Sequence, residues 1–317
     1  MVGAIISRFA PAPTGFLHVG HVVNAIYVWG LIRRHGGRVL LRVEDHDRTR
    51  SRAEFEAAIL EDLEWLGFTS DEPPVRQSER ADIYLQALGM LRRQGLVYAC
   101  GCSRAQIAAA QRLESISSDV DPAVAADGLP YPGTCRDRGL AEEAGVGVRI
   151  RLEPSTERFD DLRLGPQEQR PFEQCGDLLA RDRDGNWTYQ FAAAVDDYVQ
   201  GVTLVIRGDD LLPSTGRQIQ LARLIGRVSP PRFLHHALVM KSVGYRESGG
   251  SRQSTVLTKK LSKSDGDTGV RDLRARGWTA ARVIGHACAL AGLIPAARDV
   301  SADEVSSMMG EFTEDLT

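Results

Sequence analysis

The chain has 317 residues, of which 43% are hydrophobic and 26% are charged. This composition is typical of a globular protein and excludes collagen, coiled coil and disorder as descriptions of the whole chain. The formal net charge of −3 excludes a protein that coats nucleic acid over its whole surface, although it allows a local basic groove. Five cysteines, an odd number, favour a reducing compartment over a disulfide scaffold.

No segment reaches the ~18 consecutive apolar residues that a membrane-spanning helix needs. Residues 1–8 lack the basic start and the long apolar stretch of a signal peptide, and instead indicate a β-strand. We therefore expect a cytoplasmic monomer without membrane contact. At ~150 residues per domain, the length suggests two domains, or one domain with an insertion.

Strands and helices are predicted to alternate in the first third of the chain. A short apolar strand at residues 5–9 precedes a helix that begins near Val19 and ends at Gly36-Gly37. A second strand covers residues 38–43, and two further helices end at Gly67 and near Gly95. This alternation predicts an α/β fold with a doubly wound, parallel, Rossmann-type nucleotide-binding sheet.

The regular pattern stops at about residue 100 and returns at about residue 187. We interpret the chain as the first half of a catalytic domain (1–99), an inserted module (100–185), the second half of that domain (186–240) and a C-terminal region (241–317). The second half should contain a strand at 202–206 and a helix that Ser214 or Thr215 caps. Residues 241–259 are polar and glycine-rich and predict a mobile loop, after which a short helical region begins near residue 270.

His18-Val19-Gly20-His21 lies where the first strand's loop enters the first helix. A helix N-terminus offers unpaired N–H groups and partial positive charge, which suits a phosphate. Both histidines can donate to phosphate oxygens, and Gly20 leaves room for a nucleotide. The pattern is short, and a capped, partly exposed helix start is the alternative explanation.

Lys260-Leu261-Ser262-Lys263-Ser264 forms a second candidate site, far along the chain. Lysines on a surface usually mark a solvated basic turn. Alternatively, a flexible loop here would bring the compact ammonium group of Lys263 to a leaving pyrophosphate.

Cys100, Cys102 and Cys135 form a third candidate site. Three thiolates with one further ligand can hold a structural zinc ion in tetrahedral geometry. Buried free cysteines are the alternative, because they often serve as small apolar side chains. The spacing alone does not identify a fourth ligand, for which Cys175 and His18 are candidates.

Together these motifs resemble the class I aminoacyl-tRNA synthetases, and within them the glutamyl branch. They occur in the family's order from residue 5 to about 265. The matching segments are Arg8-Phe9-Ala10-Pro11-Ala12-Pro13-Thr14-Gly15, His18-Val19-Gly20-His21, Arg42-Val43-Glu44-Asp45, Tyr189-Gln190-Phe191-Ala192, Val195-Asp196-Asp197, Gln200-Gly201-Val202-Thr203, Arg207-Gly208-Asp209-Asp210, Ser214-Thr215, Arg217-Gln218 and Lys260-Leu261-Ser262-Lys263-Ser264. The resemblance implies an ATP site, with Mg²⁺ accompanying ATP, at His18, Gly20, His21, Lys260 and Lys263, where His18, His21 and Lys263 are catalytic.

A glutamate substrate requires cations for its carboxylates and an anion for its ammonium group. Arg8 and Arg207 stand at predicted strand ends, where a doubly wound sheet binds ligands. The resemblance assigns Glu44 to the α-amino group and places these residues around glutamate: Arg8, Phe9, Ala10, Pro11, Ala12, Glu44, Tyr189 and Arg207. Such paired charges should reject glutamine. Ala12 and Gln190 depart from the family's usual serine and asparagine without removing a charge.

The resemblance also implies the remaining zinc ligand. Short glutamyl-synthetase-like proteins carry a Cys-x-Cys…Tyr-x-x-x-Cys site, which here corresponds to Cys100, Cys102, Tyr131 and Cys135. The 28 residues between Cys102 and Tyr131 make a longer loop than the family usually has.

Only 53 residues follow Ser264, so we expect no anticodon-binding domain of the kind that full-length glutamyl-tRNA synthetases carry. The short chains of this family are the glutamyl-queuosine tRNA(Asp) synthetases. The resemblance implies ATP-dependent formation of glutamyl adenylate and transfer of glutamate to queuosine in the anticodon of tRNA(Asp). Arg136, Arg138 and residues 241–263 are candidate RNA contacts.

Three alternatives remain from the sequence. The chain could be a truncated synthetase that charges the 3′ end of tRNA(Glu) or tRNA(Gln). It could be a small-molecule nucleotidyltransferase that uses the two histidines alone, or a non-catalytic RNA-binding paralogue. The basic Lys260–Ser264 segment and the glutamate-type charges argue against the nucleotidyltransferase, and the intact histidines and Lys263 argue against the paralogue.

Overall fold

The computed structural model describes residues 4–115, 130–247, 254–260 and 269–310. The strands are β1 (Ile6–Phe9), β2 (Arg38–Val43), β3 (Val75–Arg76), β4 (Val97–Cys100), β5 (Gly147–Ile150), β6 (Glu157–Asp161), β7 (Gly165–Gln169), β8 (Leu178–Arg181), β9 (Leu204–Gly208), β10 (Arg232–His236), β11 (Met240–Glu247) and β12 (Ser254–Lys260). The α-helices are α1 (Val19–Arg34), α2 (Ala53–Leu66), α3 (Ala81–Arg93), α4 (Arg104–Ser115), α5 (Pro171–Cys175), α6 (Tyr189–Val199), α7 (Thr215–Leu224), α8 (Val270–Ala275) and α9 (Ala280–Leu290). The strands and helices predicted before residue 95 are confirmed.

The central sheet consists of two groups of strands that meet at β1 and β9. Strand β1 pairs in parallel with β2, and β2 with β3, while β10 pairs in parallel with both β9 and β6. The Thr203 N–H donates to the Ile6 carbonyl oxygen at 2.9 Å, and Arg8 Nη1 donates to the Ile206 carbonyl oxygen at 3.3 Å. The layer order is therefore β7-β6-β10-β9-β1-β2-β3, with β7 antiparallel at one edge.

Strand β9 shows that helices cover both faces of this sheet. Leu204 and Ile206 lie in the core that includes α1 and α9, whereas Val205 packs with Ile219 of α7 on the opposite face. Successive side chains of a strand point to opposite faces, so one apolar strand contributes to both cores. The predicted doubly wound α/β sheet is confirmed, and its strand order reverses between β1 and β9, where such sheets bind ligands.

The range predicted as an inserted module contributes to two sheets. Strands β4, β5 and β8 form a separate antiparallel sheet. Strand β6, however, pairs in parallel with β10 and joins the central sheet together with β7. The sequence pattern did not indicate this pairing, because β6 and β10 are far apart in the chain.

One local prediction was wrong, and a second was confirmed in position only. Residues 241–259 were predicted as a mobile loop, but β11 and β12 form an antiparallel hairpin in which Met240 is opposite Lys260. The segment Ser254–Lys260 contains threonine and valine, which favour strands and outweigh the glycine-rich composition nearby. Ser214 occupies the N-cap of α7 without a side-chain capping hydrogen bond, and Thr215 is the first residue of that helix.

The helical C-terminal region is confirmed by α8 and α9. Thr279 caps α9 by accepting a hydrogen bond from the Arg282 N–H. A 3₁₀ helix at Glu304–Met308 adds Val305 and Met309 to the core beside α1. Within the described ranges, none of the helices combines the length and apolarity needed to span a bilayer.

Two helical glycines give opposite predictions for stability. A Cβ at Gly285 in α9 would lie 1.5 Å from the Arg298 carbonyl oxygen, whereas the nearest atom to one at Gly89 in α3 is 3.8 Å away. We expect Gly285→Ala to lower the free energy of unfolding by about 2 kcal/mol or more. We expect Gly89→Ala to raise it by about 0.5–1 kcal/mol, since alanine is the better helix former. Denaturant unfolding measures both values, and stabilisation by both substitutions would contradict the close backbone packing of α9.

Candidate active site

A cavity of about 370 Å³ opens at the carboxyl ends of β1 and β9. Its volume lies within the roughly 300–1,000 Å³ range of small-molecule sites. Eight of the residues predicted from the sequence line it, namely Arg8, Ala10, His18, Gly20, His21, Glu44, Tyr189 and Arg207. The fold therefore brings the predicted phosphate-binding and glutamate-binding groups to one cavity.

The two histidines cap helix α1 reciprocally. The Gly20 N–H donates to His18 Nδ1, and the His18 N–H donates to His21 Nδ1, each at 3.1 Å. Both Nδ1 atoms act as acceptors here, so the neutral rings carry their protons on Nε2. The ring centroids lie 3.9 Å apart. The start of the helix thereby presents two N–H donors of fixed tautomer beside the cavity.

The structure gives a reason for glycine at position 20 that the sequence did not indicate. A Cβ at this position would lie 2.9 Å from Cε1 of the His18 ring. The absent side chain lets His18 fold over the first turn of α1, which is a different reason from the predicted room for a nucleotide. Gly20 also lines the cavity, so both reasons apply to the same position.

A buried ion-pair network supports the side of the cavity that is predicted to bind glutamate. Asp197 Oδ1 accepts from Arg8 Nε at 2.9 Å and from Arg42 Nη1 at 2.8 Å. Burial acts to raise the pKa of Asp197, but Arg8 and Arg42 outweigh it and lower that pKa to about 2. Asp197 is therefore ionised and holds Arg8 at the cavity wall.

Glu44 lies 3.4 Å from Arg42 and is almost fully buried. Burial raises the pKa of Glu44 above its ordinary value, and the nearby positive groups Arg42, His46 and Arg8 oppose that rise only partly. A buried carboxylate at the cavity wall gains from a cationic partner, which is the chemistry expected for binding an ammonium group.

Arg207 is held from three sides. Its Nη1 donates to Gln218 Oε1 at 2.7 Å, its Nη2 donates to Thr215 Oγ1 at 2.9 Å, and its Nε donates to His235 Nε2 at 3.0 Å. Tyr189 adds a further side-chain hydrogen bond. Burial is the main cause that lowers the pKa of Arg207, although this guanidinium stays charged at neutral pH.

Asp161 sets the tautomer of His235. Its Oδ2 lies 2.6 Å from His235 Nδ1 and also accepts from the His235 backbone N–H at 3.0 Å. The Nδ1 atom is then the protonated nitrogen, which leaves Nε2 to accept from Arg207. Burial lowers the pKa of His235 and favours this neutral form. Asp161 and His235 were not identified from the sequence. Neither lines the cavity, and their contact joins residues that are 74 positions apart in the chain.

Some predicted site residues lie elsewhere. Phe9 is buried in the core against Trp29, with ring centroids 5.3 Å apart, and does not line the cavity. Pro11 contributes its carbonyl oxygen, which accepts from the Glu44 N–H at 3.0 Å, and Ala12 lies in the following turn. These residues shape the loop behind the site.

The Lys260–Ser264 segment is only partly described. Lys260 ends β12 opposite Met240, and Lys263 lies outside the described residues. Gly269, which precedes α8, forms a β-bridge with His18.

Nine residues that line the cavity were not among the predicted site residues: Val23, Asn24, Ile206, Gly208, Asp210, Leu211, His236, Leu238 and Val239. The ring of His236 stacks on Tyr27 in parallel at 5.0 Å, and its Nε2 lies 3.2 Å from Asn24 Oδ1. The available signal was positional, because His236 ends a parallel strand beside the point where the strand order reverses.

Comparison with known proteins shows the family of this chain. Residues 4–299 match the model of the class I tRNA synthetases (E and Q), catalytic domain. The chain is 37% identical over 291 residues to the Glutamyl-Q tRNA(Asp) synthetase of Rhodobacter capsulatus, covering 88% of this chain and 98% of that protein. This chain belongs to the glutamyl-Q tRNA(Asp) synthetase family. A protein of the same name from Geobacter sulfurreducens is 45% identical over 74% of this chain and 72% of its own length.

Solved synthetase structures share the fold. The glutamate-tRNA synthetase from Elizabethkingia anophelis superposes with a TM-score of 0.74 at 26% identity, over 96% of this chain and 65% of that one. A glutamate tRNA ligase from Elizabethkingia meningosepticum, solved with its amino acid, gives 0.73 at 27% identity over 96% and 64%. This chain spans just under two thirds of those structures, so the likeness concerns the part they share with the short family.

The four predicted zinc ligands lie close together in the structure. The Sγ atoms of Cys100, Cys102 and Cys135 all lie within 4.8 Å of one another. The Tyr131 hydroxyl lies 3.3 Å from Cys100 Sγ and 3.9 Å from Cys102 Sγ. Tetrahedral zinc with ~2.3 Å bonds places its sulfur ligands roughly 3.8 Å apart. The three cysteines therefore form a cluster that could hold a metal ion.

The surroundings of the cluster act on its thiols in opposite directions. Arg149 Nε donates to Cys100 Sγ at 3.4 Å, and its guanidinium lies 3.6 Å above the Tyr131 ring. Burial raises the pKa of Cys102 to about 11, so binding of a metal would displace its proton. The rival ligands do not join the cluster, since His18 lines the main cavity and Cys175 Sγ donates to the Gly176 carbonyl oxygen.

Removing one cysteine should release the metal. We expect Cys135→Ser to lose the zinc that the unaltered protein retains, at one ion per chain, because a neutral hydroxyl is a poor replacement for a thiolate. Cys175→Ser is the matched control and should keep its zinc. Metal content after exhaustive dialysis measures both, and equal loss from the two variants would contradict the assigned ligand set.

Asp161→Asn should weaken glutamate binding through Arg207. The amide cannot accept in place of both carboxylate oxygens, so His235 can turn an N–H towards the Arg207 Nε–H. We expect the KM for glutamate to rise about tenfold with a smaller change in kcat, since about 1.4 kcal/mol of positioning is lost. Asp160→Asn, exposed on the same strand, should leave KM unchanged, and an equal effect of both substitutions would exclude this role of Asp161.

Proposed function

We propose that this chain activates L-glutamate with ATP and transfers it to queuosine in the anticodon of tRNA(Asp). One observation carries the proposal: a single cavity holds the histidines of the α1 start and the charged groups Arg8, Glu44 and Arg207. The groups suited to phosphate chemistry thereby lie next to the groups suited to recognising a dicarboxylate. The names of the relatives supply the acceptor, since they are glutamyl-Q tRNA(Asp) synthetases.

Each charged group of glutamate is held by a protein group of opposite charge. Arg8 and Arg207, with Tyr189, bind carboxylate oxygens, and Glu44 binds the ammonium group. Glutamine would leave one of the buried arginines without its anionic partner, which is the physical basis for rejecting it. The hydrogen bonds that Arg8 donates to Asp197 and Arg207 donates to His235 fix the arginine positions before the substrate arrives.

Activation is an in-line displacement at the α-phosphorus of ATP. A glutamate α-carboxylate oxygen forms the new bond to phosphorus, while the bond to the bridging oxygen breaks and pyrophosphate leaves with its electrons. The Nε2–H groups of His18 and His21 donate to the phosphate oxygens as charge develops. Lys263 neutralises the pyrophosphate, and Mg²⁺ enters with ATP as part of the substrate.

Transfer follows at the glutamyl carbonyl carbon. A hydroxyl oxygen of queuosine forms an ester bond to that carbon, the bond to the AMP phosphate oxygen breaks, and AMP leaves. The hydroxyl proton passes to a base, for which the departing phosphate suffices. The acceptor is a single-stranded anticodon loop, whose bases can be turned outward into a protein pocket.

Zinc has a structural role in this proposal. Bound by Cys100, Cys102, Tyr131 and Cys135, it would join the end of β4 to the segment around residue 131. The four-part division of the chain predicted above, at residues 99, 185 and 240, remains part of the proposal. Arg136 has a structural contact in addition to its proposed role with RNA, since its Nε lies 3.2 Å from Asp177.

Two assays test the proposed function. We expect glutamate-dependent ATP–pyrophosphate exchange in the absence of tRNA, and Lys263→Ala should abolish it, because the leaving group loses its counter-charge. Lys259→Ala, a lysine outside the motif, is the control and should retain exchange. In the second assay, tRNA(Asp) should accept glutamate only when it contains queuosine.

The alternatives give different results in the same assays. Equal charging of queuosine-free tRNA(Asp) would contradict the acceptor. Charging of tRNA(Glu) at its 3′ end would indicate the truncated synthetase. Absence of exchange both with and without tRNA would contradict enzymatic activation altogether.

A further inference from the structure

A second cavity of about 330 Å³ lies beside the first, and no predicted site residue belongs to it. Residues that follow the carboxyl ends of β2 and β3 form one wall, helix α3 forms another, and the turn between β8 and α6 forms the third. The lining residues include His46, Arg48, Leu85, Arg181, Asp184 and Trp187.

The second cavity adjoins the glutamate site through two rings. The ring of His46 lies 6.4 Å from that of Tyr189, centroid to centroid. His46 lines the second cavity and Tyr189 lines the first. A ligand in the second cavity would therefore be separated from bound glutamate by the rings of His46 and Tyr189. That proximity suits a group that must receive glutamate rather than an unrelated effector.

The position of His46 is fixed by a buried hydrogen-bond chain. His46 Nδ1 lies 2.6 Å from Gln77 Oε1, and Gln77 Nε2 donates to Asp196 Oδ2 at 2.8 Å. Asp196 also accepts from the Tyr84 hydroxyl at 2.8 Å and from Arg80 Nε at 2.6 Å. This wall of the cavity is thus preorganised, as expected of a binding site rather than of an accidental gap.

The opposite wall combines an aromatic ring with a cation. The guanidinium of Arg181 lies 5.9 Å from the centroid of the Trp187 ring. Leu85 of α3 is 48% exposed and adds an apolar surface. Flat apolar and guanidinium surfaces are the groups on which proteins stack unpaired nucleobases.

A rigid turn completes the cavity with polar groups. Asp182 accepts from the backbone N–H groups of Asp184 and Asn186 at 2.9 and 2.8 Å, and its second oxygen accepts from Asn186 Nδ2 at 3.2 Å. The turn presents the carboxylate of Asp184 at the cavity. Carboxylates accept from the N–H groups of a guanine-type base edge.

One wall of this cavity continues into a loop with three exposed arginines. Arg48, Arg50 and Arg52 alternate along the loop between β2 and α2, and Arg48 lines the cavity itself. Arginines at such positions are suited to the phosphates that flank an unpaired nucleotide. An isolated small molecule would not require this row of cations.

We propose that the second cavity binds the acceptor nucleobase, a 7-deazaguanine-type base turned out of an RNA loop. This inference rests on the proposed function, since it names the site from which the base receives glutamate. The base stacks at the Trp187 and Leu85 walls, Asp184 accepts from its N–H groups, and Arg48 contacts a flanking phosphate. His46 lies between the base and the bound glutamate.

Filling the cavity should separate the two half-reactions. We expect Leu85→Trp to leave glutamate-dependent ATP–pyrophosphate exchange unchanged, while kcat/KM for queuosine-containing tRNA(Asp) falls about tenfold or more. Met90→Trp is the matched control, because Met90 lies on the same helix, is 37% exposed and does not line the cavity. Its transfer rate should stay within about twofold of the unaltered protein.

A second pair of variants tests the phosphate contact. Arg48→Ala should weaken transfer and reduce its dependence on salt, whereas Arg158→Ala should change neither. Arg158 is exposed on β6 and pairs with Glu168 at 2.9 Å. Because alanine at an exposed position preserves folding, this pair remains informative if the tryptophan variant is poorly folded.

The outcomes distinguish this inference from the proposed function. Unchanged transfer in both Leu85→Trp and Arg48→Ala would overturn the base site while leaving the function intact. Loss of exchange in a correctly folded Leu85→Trp protein would also overturn it, because the cavity would then belong to glutamate activation. Absence of exchange in the unaltered protein would instead refute the proposed function.

Discussion

Arg42 is the charge on which the architecture of the site depends. It is completely buried, and it lies within ion-pair distance of Glu44, Asp196 and Asp197. Burial acts to lower the pKa of Arg42, but these carboxylates outweigh it and raise the pKa, so the group is charged. A charge taken out of water must remain paired, and separating β2 from α6 would leave it unpaired in the interior. The glutamate cavity and the second cavity both border this network, because Asp197 holds Arg8 while Asp196 holds Gln77, the partner of His46.

The two halves of the main cavity achieve their geometry differently. The histidines at the start of α1 position each other, since each contact joins residues at most three apart. The arginine that faces them is positioned by residues far along the chain. Asp161 ends β6, within the range predicted as an inserted module, yet it orients His235 and through it Arg207. A local motif can therefore be found from the sequence, whereas the supporting partners of Arg207 require the fold.

Prediction succeeded where the pattern is local and periodic. The helices and strands before residue 95 have clear apolar periods and glycine ends, and Gly67 adopts a positive φ of 85° at the end of α2. Prediction failed where pairing decides the structure. The glycine-rich composition of residues 241–259 indicated a loop, but β11 and β12 satisfy each other's backbone hydrogen bonds as a hairpin. The pairing of β6 with β10 was similarly hidden, because it leaves no trace in a local window of the sequence.

The sequence by itself determined the chemistry: two histidines at a helix start, arginines and a glutamate at strand ends, and three cysteines in two short segments. These are local patterns whose residue types restrict what they can bind. Only the tertiary structure decided which of them share a cavity, why Gly20 is glycine, and that Phe9 serves the core. It also revealed the second cavity, whose walls come from β2, α3 and the turn before α6. Such a site depends on distances between segments that are remote in the chain, and those distances are set by packing rather than by sequence pattern.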